Sequence, residues 1–104
     1  MIASKSIYSL KIKRIKTMNT ETIERHRIRC YDLPAATDRY TAVYLDMPEP
    51  GGLYAARSMS SDPFHPLGIG QFTQAADGHH LGNPIRFDDL PAACKRLIRA
   101  DLTY

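Results

Sequence analysis

The sequence predicts an α+β fold: a small antiparallel sheet of three to four strands with a C-terminal amphipathic helix packed on one face. Three observations carry that expectation. Residues 39–47, RYTAVYLDM, are rich in sheet-favouring side chains. Pro50-Gly51 follows them and suits the two central positions of a type II turn. Leu90, Cys94, Leu97, Ile98 and Leu102 then recur at helical spacing near the C-terminus.

A chain of 104 residues is expected to form one domain. Its net charge of +3 is unevenly placed. Residues 1–17 contribute +5 through Lys5, Lys11, Lys13, Arg14 and Lys16, and the remainder carries −2. The division is therefore a basic leader, 1–17, and a single α+β domain, 18–104, with Met18 as the expected natural start. The leader lacks the uninterrupted apolar stretch of a secretory signal. Cys30 and Cys94 accordingly read as reduced thiols in a cytoplasmic protein. No apolar run reaches the roughly 18 residues that a spanning helix requires.

Thr20–Arg29 reads either as a helical turn capped by Thr20 or as an edge strand leading to Leu33, where Pro34 ends it. In the following strand Thr41, Val43, Leu45 and Met47 share one face, and Tyr40, Ala42, Tyr44 and Asp46 the other. Both faces are largely apolar, which makes this strand central. The turn at Pro48–Gly52 returns the chain as a partner strand, residues 53–59. Ser60–Pro84 is a turn-rich connection in which Leu67–Gln74 could form a short irregular strand. Asp62-Pro63 and His65-Pro66 disfavour helix there. Ile85 and Phe87 alternate as a further short strand. Pro91 suits the first turn of the helix, with Asp88 and Asp89 before it and Lys95, Arg96 and Arg99 in its later turns, as the macrodipole favours.

Four histidines raise a metal or acid–base reading in which His65 converges with His79 or His80. Zinc sites are usually built from close pairs such as C-x₂-C, and adjacent His79 and His80 do not suit one ion. No metal and no cofactor is expected. Ser60, Ser61, Asp62 and His65 lack the strand–elbow–helix setting of a nucleophile. Gly68-Ile69-Gly70 lacks the third glycine and following helix of a dinucleotide loop. Tyr40, Tyr44, Tyr54, Phe64 and Phe72 could stack bases, but the acidic body argues for aromatic core packing. Cys94 lies on the helix stripe and reads as a core residue.

PFHPLGIGQF (63–72) and HLGNPIRFDDLP (80–91), with the closing helix, resemble a group of short bacterial proteins met on plasmids, prophages and other mobile elements. The resemblance implies no catalytic residue. The expected function is that of a non-enzymatic binding or regulatory module acting through protein–protein contacts. Binding residues concentrate on loops held by a rigid scaffold, which places the contacts at Phe64, His65, Gln71, His79 and His80. The alternatives are a metal-dependent or acid–base enzyme using His65, and nucleic-acid binding through the leader. A sheet edge is a further expected route to a homodimer.

Overall fold

A two-residue turn opens the sheet. In the computed structural model, which describes residues 20–62, 64 and 69–103, β1 (Glu21–Ile23) returns as β2 (His26–Asp32) with Ile23 opposite His26. The linking residues Glu24 and Arg25 both have positive φ, 51° and 72°. That is the type I′ geometry, whose twist matches the flanking strands but which usually selects Asn-Gly. Thr20 does not cap a helix here; its hydroxyl oxygen accepts from Arg29 Nε at 2.7 Å.

Four further strands complete the sheet: β3 (Tyr40–Glu49), β4 (Leu53–Met59), β5 (Gly70–Ala75) and β6 (Asn83–Ile85). The order is β1-β2-β3-β4-β5, antiparallel throughout, and β6 pairs with β2 beyond β1. The expected three to four strands are thus corrected to six among the described residues, because β1 and β6 are three-residue strands with too few residues to show a period. The expected strand at Ile85–Phe87 is shifted as well. β6 ends at Ile85, and Phe87 begins a helical turn, Phe87–Asp89.

Hydrogen-bond parity explains how proline enters β6. Leu33 donates to the Arg39 carbonyl at 2.8 Å, so Tyr31 and Arg29 point their polar backbone groups toward β3 and Cys30 and Asp32 theirs toward β6. Pro84 faces Tyr31, a non-bonded position, and its missing N–H lies on the outer side.

The hairpin of β3 and β4 closes through Pro50–Gly52, with Gly51 at φ 79°, ψ 20°. That is the glycine position of a type II turn. The pairing is not continuous. Val43 faces Ala56 and Pro48 faces Tyr54, so four residues of β3 oppose Ala55 alone. An irregularity of this size reverses the alternation of faces. The expected face assignment of Met47 is corrected accordingly: it packs in the same core as Tyr44 rather than opposite it.

α1 (Ala92–Leu102) covers one face of the sheet. Its stripe of Leu90, Cys94, Ile98 and Leu102 is buried, and Leu97 half-buried, against Ile28, Cys30, Ala42, Tyr44 and Met59. Each such aliphatic side chain contributes about 1.5–3 kcal/mol by leaving water. Pro91 sits at the boundary before the helix. Cys30 and Cys94 are free and buried in this core, and burial raises both thiol pKa values. Tyr31, Val43 and Ala56, on the other face of the sheet, are fully buried too.

Candidate functional site

Registers place Asp32, Tyr40, Met59 and Gly70 side by side. The chain therefore turns back into the sheet at this end through 33–39 and 60–69, while a third connection, 76–82, leaves β5 at the opposite end, after Ala75 beside Tyr54, and re-enters here in β6. The last reaches this end because Gly82 lies against Asp32. A β-carbon on Gly82 would stand 2.4 Å from the Asp32 carbonyl oxygen.

Each connection is held by specific polar contacts. In 33–39, Arg39 forks onto the Asp32 carboxylate through Nε at 2.6 Å and NH2 at 3.0 Å. In 60–69, Ser60 donates to the Ile69 carbonyl at 2.7 Å, and the Asp62 carboxylate accepts from the Phe64 backbone at 2.9 Å. The connection 76–82 is anchored on the face opposite α1. There Asp77 accepts from the Tyr31 hydroxyl at 2.5 Å and pairs with Arg29. Burial, reinforced by the hydrogen bond to Asp77, pushes the Tyr31 phenol well above its ordinary pKa.

Of the predicted contact residues, Phe64, Gln71, His79 and His80 fall at this end but are not gathered together. Phe64 is 89% exposed on the β4–β5 connection. His79 and His80 are exposed on a helical turn, His79–Leu81, beside β6. The strands to which they attach are four intervals apart, roughly 19 Å. Gln71 is half-buried on β5, and its amide donates to Asp38 at 3.2 Å, which ties the 33–39 connection across toward β5. His65 lies outside the described residues, as do the leader and the expected loop glycine Gly68.

Sequence reasoning missed Leu33, Asp38 and Asp77. Leu33 is 40% exposed and adds an apolar side chain between the Phe64 and histidine positions. Asp77 precedes Gly78, and that Asp-Gly pair was a local sign of a turn there.

The aromatic residues divide between core and surface. Tyr40 and Tyr44 belong to the core beneath α1, while Phe72 is 58% exposed over Arg57, at 4.4 Å from the guanidinium carbon. A separate cleft of about 620 Å³ beside the β1–β2 turn has Glu24, Arg25, His26, Leu102 and Thr103 among its lining residues. His26 Nδ1 lies 2.9 Å from Asp46. Such a pair can orient an imidazole, but the Thr103 hydroxyl donates to the Arg99 carbonyl at 2.6 Å rather than toward His26. Among the described residues, no group of three or more His, Cys, Asp or Glu is placed to hold a metal ion. No helix among them is long and apolar enough to cross a membrane.

Comparison with protein-family models, with curated proteins and with solved structures finds no match to this chain.

Proposed function

We propose that this domain is a non-enzymatic binding module that contacts another protein through the connections at one end of its sheet. The observation that carries the reading is Phe64. A phenylalanine exposed to 89%, on a turn whose backbone is pinned by Asp62, costs solvation in the isolated domain and gains it in a complex. Leu33 supplies a second exposed apolar group at the same end, and His79 and His80 supply polar contacts around it. His65, adjacent to Phe64 in sequence, belongs to the same proposed surface. The sheet and α1 act as the rigid support from which the connections project.

The test is comparative capture with the full chain as bait, in lysate of the source cell. Phe64→Ala and the double variant His79→Ala/His80→Ala are expected to lose a specific partner that the unaltered chain retains, with thermal unfolding unchanged. Identical captured proteins for all three baits would overturn the assignment.

A further inference from the structure

Among the described residues, the outer edge of β5 carries no partner strand. Ser60 donates to the Ile69 carbonyl, which makes that pair a hydrogen-bonded one. The register continues through Met59–Gly70 and Ser58–Gln71 to Tyr54–Ala75. Antiparallel pairs alternate, so Gln71, Thr73 and Ala75 direct their backbone groups to β4. Gly70, Phe72 and Gln74 direct theirs outward, and among the described residues no strand receives them.

We infer that two copies of this chain join through β5 in a two-fold antiparallel pairing centred on Phe72. A two-fold axis through an antiparallel strand pair sets one residue opposite itself. With Phe72 on the axis, Phe72 faces Phe72 of the second copy, and Gly70 faces Gln74. That register uses every outward N–H and C=O of the strand. A register centred on Gln71 would bond Gly70 with Phe72 and leave Gln74 unmatched within the strand, and one centred on Thr73 would bond Phe72 with Gln74 and leave Gly70 unmatched.

Side chains agree with the backbone. The strand GQFTQA has no charge and no proline, so its two-fold pairing opposes no like charges. Natural edges are usually blunted by such residues. The other side of this sheet shows the contrast, since Pro84 in β6 presents no outward N–H. Phe72 is on the α1 face, with Arg57 4.4 Å from its ring centre and the Tyr44 ring edge-on at 6.3 Å, and is still 58% exposed. A second Phe72, with its Cα about 5.5 Å away across a bonded pair, covers the exposed part of that ring. The pairing consumes one edge per chain and closes at two copies. It does not rest on the proposed contacts of Phe64, His79 and His80.

The test is the mass of the full chain by light scattering over a range of concentrations. A concentration-dependent dimer is expected. Phe72→Pro and, separately, Gln74→Pro each remove an outward N–H without touching the β4 ladder. Each is expected to weaken dimerisation roughly tenfold to a hundredfold, since two hydrogen bonds are lost per dimer, with the circular dichroism melt preserved. Phe72→Cys is expected to cross-link between copies under mild oxidation, whereas Thr73→Cys is not. A chain monomeric at all concentrations overturns the proposal. So does a dimer untouched by both proline variants, or one cross-linked by Thr73→Cys in preference to Phe72→Cys.

Discussion

Asp101, in the last turn of α1, accepts from Arg57 Nε at 2.9 Å, and so clamps the end of the helix onto β4. The Tyr44 hydroxyl donates to the same carboxylate, and Arg57 NH2 to its other oxygen. An acid at a helix C-terminus opposes the macrodipole, so the position makes sense only through this tertiary pairing. The carboxylate side chain is 8% exposed and the guanidinium 15%.

Breaking such a pair on one side leaves the other charge uncompensated. Asp101→Ala is expected to destabilise the domain by about 3 kcal/mol, measured by urea unfolding. The combined change Asp101→Leu with Arg57→Met should recover most of the loss. A deficit below about 1 kcal/mol for the single variant would mean that solvent screens the pair.

Alkaline stability follows from the same cluster. Burial first, and then the hydrogen bond to Asp101, raise the Tyr44 phenol above its ordinary pKa; burial and Asp77 do the same to Tyr31. Above pH of about 10 the unfolded chain releases these protons while the folded chain keeps them. The unfolded state then binds fewer protons, and stability falls as pH rises. The contribution is full below pH of about 10 and declines by up to about 1.4 kcal/mol per pH unit for Tyr44 above it. Urea melts from neutral to alkaline pH should show the decline, and Tyr44→Phe should flatten it. An equal slope in that variant would sink the attribution.

The β1–β2 turn holds two non-glycine residues at positive φ. A left-handed conformation costs roughly 1–2 kcal/mol for an ordinary residue and little for Asn or Gly. Replacing Glu24-Arg25 by Asn-Gly is expected to stabilise the domain by about 1 kcal/mol or more. The check is the midpoint of thermal unfolding, which should rise by several degrees.

Gly82 has φ 119°, and its missing β-carbon would also stand 2.6 Å from the Asp32 carbonyl carbon and 2.9 Å from the Leu33 nitrogen. All three atoms belong to one backbone peptide, which cannot rotate away as a side chain could. Gly82→Ala should therefore cost more than about 2 kcal/mol and separate β6 from β2. Hydrogen exchange at Cys30 and Ile85 reads the separation directly; protection equal to that of the unaltered chain would refute it.

What could be read locally was read correctly where several residues reported the same thing. The Pro50-Gly51 turn and the α1 stripe each rest on short-range geometry, and β3 announced its central place by being apolar on both faces. Errors came where the signal was short or non-local. Three-residue strands have no period. The alternation of β3 looks unbroken through Met47, and only its pairing with β4 reveals the irregularity. The hydrogen bond from the Gln71 amide to Asp38, 33 positions away, likewise has no local signal.

The sequence by itself determined the α+β class, the β3–β4 hairpin, the C-terminal helix and the face that helix buries. Propensity, turn chemistry and periodicity are properties of neighbouring residues, and they act before the chain has folded. Only the tertiary structure decided the six-stranded order and the reversal of faces at Met47. It alone decided the Asp101 and Asp77 anchors, and the separation of Phe64 from His79 and His80. Those depend on hydrogen bonds and ion pairs between residues distant in the chain, whose partners no local pattern names.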